Sequence, residues 1–362
     1  MHAVKLDHPR VWRTYLGGER LDAFIGSSSA TGSRHYPEEW IASVTEARNP
    51  DSTPGEGLSH TTDGALLRDL IAEDRVAMLG EGCSDLGVLA KIIDAGERLT
   101  VQVHPSKQQA QRLFDSQYGK TECWYFLDAG NSSLQRDELG KRPYVYCGFK
   151  KGITRDRWES LFKSQDIVGM LACLNRIEVT PGMVILIRGG MPHAIGDGCF
   201  LIEIQEPTDY TIRIERTTPS GQKVPDESCH QGLGFARMFD CFDYRGYTQE
   251  EILAHCVIEP SLISKGAGVT TERLIGYDAT PCFSMSRVRF NAEASVPIEL
   301  DGAYRILFVT SGSGLYCEDQ DEANGQMLGR GDQLFVPASA CNPRVTMTPG
   351  SEVLLFHGPA SS

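Results

Sequence analysis

Two histidines, a glutamate and a glutamine form the donor set that could do chemistry in this chain. Gln102 and His104 lie two residues apart in the apolar run LTVQVHP (99–105). Glu122 follows in GKTECW (119–124), and His193 comes after PGMVILIRGGMP (181–192), a strand pattern ending in a glycine-rich turn. Side chains alternate faces along a strand, so Gln102 and His104 point one way while Val101 and Val103 point the other. Pro105 ends that strand and leaves His104 at its mouth, and Glu122 opens the next one. Two imidazole nitrogens and two oxygens at strand ends suit a divalent cation, zinc first, with positions left for water or substrate oxygens. A closed structural zinc site recruits cysteines more often. A single strand histidine is more often a packed or surface residue than a ligand, and the chain offers nine histidines. The conjunction with Glu122 and the repeated strand-turn framing favour the metal.

Short β-rich runs punctuated by 37 glycines and 18 prolines must position these residues, the pattern of a sandwich or barrel. Strands are expected at 99–104, 122–128, 143–148, 183–188, 199–205 and 210–214. A second group is expected at 256–258, 283–290, 304–310, 313–318, 333–336 and 352–357. Helical spacing of Leu and Ile predicts helices over 63–72 and 85–94. Ser106 is a cap for a helix running to Phe114, and Thr154 for one with Trp158, Leu161 and Phe162 inward. The polar stretches 47–62 and 216–234 read as loops, the first a surface insertion that could overhang a cleft. Each half carries a turn feeding a strand that ends at a proline, in 180–195 and again in 328–343. One double-stranded β unit used twice follows, divided as 1–245, carrying the donors, and 246–362. The second unit places Ala340, Cys341 and Asn342 where a metal-binding unit would carry its histidine, so it reads as a buttress without metal.

With 35 Lys and Arg against 48 Asp and Glu, net charge −13, the chain is a poor partner for nucleic acid or anionic membranes. Its longest apolar runs are too short to span a bilayer, and no hydrophobic leader opens it, so a cytosolic protein is expected. Eleven cysteines, an odd number with no C-x-x-C pair, read as reduced, mostly buried thiols.

LTVQVHP, GKTECW and PHAIG (192–196), in that order, resemble the type I mannose-6-phosphate isomerases, a zinc-dependent cupin family. IEIQEPTDYTIR (202–213) extends the likeness, as does Lys91, read as lying on a helix leading to the metal strand. The resemblance implies a mainly β bicupin of two jelly-roll domains and zinc ligation by Gln102, His104, Glu122 and His193. It further implies an active site holding Lys91, Lys120, Glu203, Asp209 and Arg213. The implied reaction interconverts mannose 6-phosphate and fructose 6-phosphate through an enediol, with Glu203, Lys120 or metal-bound water as the proton carrier. Taken alone, these residues read more plainly. Lys91 would be a solvated helix charge and Lys120 a loop lysine. Glu203 would line the wet side of a sheet, and Asp209 with Arg213 would be a surface ion pair. The chain departs from the family in PSKQQA (105–110), in QEPTD (205–209), and in VWRTYLGGERL (11–21) and PEEWIAS (37–43), where the family carries Trp-Gly-Gly and Gly-Glu-x-Trp. These departures bear on the substrate more than on the metal. The alternatives are an isomerase of a related sugar or sugar phosphate, and a metal-containing cupin that binds carbohydrate without turnover. An iron cupin dioxygenase is disfavoured, because Gln102-Val103-His104 replaces its closely spaced histidine pair.

Overall fold

The computed structural model describes residues 1–26, 32–49, 53–127 and 142–360. Two β-sandwiches share a wall. In the first, a seven-stranded sheet runs in the order Val257–Ile258, Val184–Ile187, Glu122–Phe126, Phe200–Gln205, Leu89–Asp94, Glu38–Ile41 and Arg10–Val11. It faces a sheet ordered Ile212–Arg213, Gln102–Val103, His193–Ile195, Tyr144–Lys150 and Gly246–Tyr247, with Leu174–Glu178 paired to Tyr144–Lys150. The second sandwich opposes a seven-stranded sheet containing Ser284–Phe290, Arg305–Ser311 and Ser351–His357 to a four-stranded one containing Ser313–Cys317 and Arg344–Met347.

The shared wall explains much of the patterning. Along Phe200–Gln205, Phe200, Ile202 and Ile204 enter a core that also holds Leu274, Ile306, Phe308, Leu354 and Phe356 of the second sandwich. Leu201 faces the other way, into the first sandwich, against Trp124, Ile185 and Ile195. Period-two alternation puts Glu203 and Gln205 on that inner side with Leu201. Both faces are therefore buried, and such strands read as nearly continuous apolar runs.

That same double burial corrects the helix expected over 85–94. Residues Leu89–Asp94 form a strand with every residue buried, and Lys91 stands on it, not on a helix. Its apolar run reads equally well as a helix face because no polar alternation marks a strand buried on both sides. The helix expected over 63–72 begins later, at Leu67–Glu73, and of the strand expected at 99–104 only Gln102–Val103 pairs. Lys107–Phe114 forms with Ser106 as its cap in a reciprocal capping box with Gln109. Thr154 caps Arg155–Ser164, which buries Trp158, Leu161 and Phe162. Part of the strand expected at 122–128 and of the loop expected at 47–62 lies outside the described residues. All eleven cysteines are free, and nine of them are buried.

Candidate metal centre and cleft

Cross-strand register builds the site as two facing rows. On one sheet Gln102 lies directly opposite His193 on one side and Arg213 on the other, and opposed residues share a face. On the shared wall Glu203 lies between Lys91 and Trp124, and Glu122 lies opposite Gln205. Two glycines allow the turns carrying His104, Lys120 and His193 to close on one another. A Cβ at Gly119 would stand 2.6 Å from the Lys107 nitrogen, and one at Gly189 2.4 Å from the Ser106 Cα, distances no side chain tolerates.

Among the described residues, the ligating atoms of His104, Glu122 and His193 converge within 4.8 Å of one another, all three residues being buried. His104 Nδ1 lies 2.8 Å from the Tyr210 carbonyl and His193 Nδ1 2.9 Å from that of Met191. A carbonyl only accepts, so both Nδ1 atoms carry the proton and both Nε2 atoms turn a lone pair inward. Those atoms lie 3.1 Å and 3.2 Å from the two Glu122 oxygens. Burial, then the Lys120 charge, pushes His104 down to about 3, and burial also lowers His193. The rings are therefore neutral. Burial opposes ionisation of Glu122, but the Lys120 charge outweighs it and holds the carboxyl well below its usual range. Glu122 Oε1 has no hydrogen-bond partner among the described residues. Acceptors facing acceptors require positive charge between them. Lys120 supplies some, its ammonium touching Glu122 and lying 2.8 Å from His104 Nε2. Gln102 joins the ring with its amide nitrogen 3.2 Å from His193 Nε2. A half-turn of that amide presents its oxygen, the atom able to ligate, at the same place. The donor set fits a divalent cation: neutral imidazoles oriented by outer carbonyls, an ionised carboxylate and an amide.

A cleft opens beside this centre, bordered by Lys91, Lys120, Glu203, Asp209, Arg213 and Gln102, and also by Arg13, Tyr15, Glu38, Arg48 and Asn49. All five residues carried over from the resemblance thus lie on one cleft, but their pairings differ from a plain reading of the sequence. Lys91, 3% exposed, is no solvated charge: its Nζ stands 3.2 Å from Glu203 and 3.8 Å from Glu38. Those carboxylates raise its pKa against the opposing effect of burial. Asp209 and Arg213 are not a surface pair. Asp209 is buried and accepts from both Arg13 guanidinium nitrogens, each at 3.2 Å, and from the Arg48 backbone at 2.8 Å. Arg213 donates to the Ser228 and Thr211 carbonyls, and burial lowers its pKa. Glu203 accepts from the Trp124 indole at 3.0 Å. Burial and then the Glu122 charge raise its pKa, against Lys120 and Lys91.

Arg13, Glu38 and Arg48 were not singled out by the sequence. Glu38 had a signal, the PEEW stretch. Arg13 carries no motif of its own. It binds Glu38 at 2.9 Å and lies over Trp40 with 5.4 Å to the ring centroid.

Residues 14–123 match the family model of the phosphomannose isomerase type I catalytic domain. That stretch holds Glu38, Lys91, Gln102, His104, Lys120 and Glu122. Among curated proteins, mannose-6-phosphate isomerase ManA of Bacillus subtilis is 32% identical over 135 residues, 35% of this chain and 36% of the relative. The mannose-6-phosphate isomerase of Streptococcus mutans is 30% identical over 230 residues, 60% of this chain and 61% of the relative. The matches thus span between about a third and three fifths of these phosphomannose isomerase relatives. The fold likeness is longer. A crystal structure of the Bacillus subtilis mannose 6-phosphate isomerase superposes with a TM-score of 0.74, at 23% identity, covering 99% of this chain and 100% of that one. The apo mannose 6-phosphate isomerase of Salmonella typhimurium superposes with a TM-score of 0.71 at 15% identity, over 99% and 100% of the two chains. At these identities the superpositions establish the fold. Among the described residues, no helix is long and apolar enough to cross a membrane.

Proposed function

We propose that this chain is a zinc-dependent aldose–ketose isomerase that interconverts mannose 6-phosphate and fructose 6-phosphate in the cytosol. The bicupin reading goes with it: a catalytic unit over 1–245 and a metal-free buttress over 246–362. The observation that carries the proposal is the convergence of three buried acceptors, His104, Glu122 and His193, beside a cleft that also holds Lys91, Lys120 and Glu203. A binder without turnover needs no buried carboxylate of raised pKa there. The phosphomannose isomerase match over residues 14–123 supports this sugar ahead of a related one.

The reaction moves a proton between C1 and C2 of the opened sugar. Gln102, His104, Glu122 and His193 would hold the ion, and zinc, when bound, supplies Lewis acidity toward the sugar oxygens. Glu203 is the group we assign to carry the proton: it is buried, borders the cleft and has a raised pKa, the tuning that taking and returning a carbon-bound proton requires. Trp124 fixes one of its oxygens, and Lys91, 3.2 Å from the other, balances its charge. Lys120 borders both the cleft and the ligand ring, so its ammonium can follow the negative charge that develops on substrate oxygen. Burial of the whole row excludes water that would exchange the transferred proton.

A coupled assay with mannose 6-phosphate on metal-replete protein, beside His104→Ala, tests the proposal. Turnover by the wild type, lost with the metal in His104→Ala, is the expected result. No turnover in the replete wild type overturns it.

A further inference from the structure

The charges bordering the cleft do not cancel. Three carboxylates, Glu38, Glu203 and Asp209, face five cations. Arg13 bridges Glu38 and Asp209, Lys91 lies between Glu38 and Glu203, and Lys120 is held by Glu122. Arg48 and Arg213 remain, with no carboxylate partner for either guanidinium among the described residues. Both gather around Asp209, which accepts from the Arg48 backbone and whose charge acts on Arg213.

Arg48 is held for a task. Its guanidinium lies over Tyr210, 4.5 Å from the ring centroid, and Phe114 stacks on Tyr210 at 4.4 Å. The Tyr210 carbonyl meanwhile accepts from His104, so one residue ties the Arg48 platform to the metal centre. Arg48 and Asp209 also border a second, wider hollow of about 650 Å³, whereas the inner cleft encloses about 40 Å³. Arg48 and Asp209 line both hollows, so a sugar that reaches Glu203 from the wider one passes them. Of the carboxylates bordering the wider hollow, Glu46 is paired with Arg68, Asp209 with Arg13, and Asp115 accepts from Gln111.

We propose that Arg48, acting with Arg213, receives the phosphate of the substrate and sets the preference for phosphorylated over neutral sugars. Two guanidinia without a carboxylate partner among the described residues match a phosphate monoester dianion in charge, and planar guanidinia pair with phosphate oxygens in a two-pronged way that lysine does not reproduce. The hollow Arg48 borders is walled by 115–118 and by 207–210, the second overlapping QEPTD, one of the stretches where the sequence departs from the resembled family. The assignment rests on the sugar-phosphate reading of the cleft.

Arg48 is exposed, so Arg48→Gln and Arg48→Lys should fold. Binding of inorganic phosphate to metal-loaded protein is titrated calorimetrically for all three proteins, and turnover of mannose 6-phosphate is measured separately. Arg48→Gln is expected to weaken phosphate binding and raise KM by roughly tenfold or more, with kcat within about twofold and partial recovery in Arg48→Lys. Phosphate affinity in Arg48→Gln within twofold of wild type, or a wild type that binds no phosphate, overturns the assignment. A wild type that binds phosphate through Arg48 yet turns nothing over refutes the isomerase reading alone.

Discussion

Replacing Arg13 by methionine should destabilise the protein strongly, and by a pH-dependent amount. Arg13 is 4% exposed and bridges Glu38, 5% exposed, and Asp209, 7% exposed. Methionine approximates its apolar stem but strands two buried carboxylates, and breaking a buried ionic arrangement in this way costs about 3–5 kcal/mol. The lower half of that range is expected. Glu38 keeps the Tyr15 hydroxyl at 2.8 Å and the Trp40 indole at 2.9 Å, and Asp209 keeps the Arg48 amide at 2.8 Å. With unfolding entropy near 2.1 cal/mol/K per residue, a loss of about 3 kcal/mol over the whole chain lowers Tm by about 4 °C. The sign with pH follows from Glu38. Burial opposes its ionisation, yet Arg13 and then Lys91 hold its pKa far below the ordinary carboxylate range. A depressed folded-state pKa stabilises above the unfolded value and is lost as pH falls through the folded one. Without Arg13 the carboxyl protonates at a higher pH. The gap between wild type and variant should therefore be widest near neutrality and narrow below about pH 4. Thermal denaturation of both proteins at pH 7 and pH 3 measures it. A Tm within 1 °C of wild type at pH 7, or an equal loss at both pH values, refutes the reasoning.

Glu122→Gln should reduce the bound divalent ion to well below one per chain, measured by elemental analysis after dialysis; an unchanged stoichiometry removes Glu122 from the centre. Trp124→Phe deletes the indole donor that favours ionised Glu203, so the acidic limb of the kcat/KM profile should move to higher pH. A stationary limb takes Glu203 out of proton transfer. Gly189→Ala forces a methyl against the Ser106 backbone and should cost about 1–3 kcal/mol in urea denaturation, the range for overpacking; a neutral effect would mean that the turn yields freely.

The donor pattern was legible because the strand period of two acts locally: Gln102 and His104 announce a shared direction within three residues. Pro105, Ser106 and the Gly-Lys-Thr turn are equally local signals, and the cap at Ser106 forms as its side chain dictates. Lys91 was misplaced for the opposite reason. Its strand is paired on both sides and buried on both faces, so the alternation that identifies a strand is missing from its letters. The charge row was illegible in a different way. Arg13 reaches Asp209 across 196 positions of chain, and nothing near either residue names the other. The exposed strand Ser261–Gly266 and its neighbour Val269–Ile275 also went unread, since mixed polar content and a register shift between them blur the period.

The wall shared by the two sandwiches has a consequence for synthesis. The isoleucines flanking Glu203 find their cover in Leu274, Ile306, Phe308 and Leu354, all made after the last donor. A nascent chain ending soon after residue 258 would carry every candidate donor and yet leave Ile202 and Ile204 without that cover. The strand that aims Glu203 is thus completed by segments translated last, and a truncated product would lose the geometry of a site whose residues it still contains.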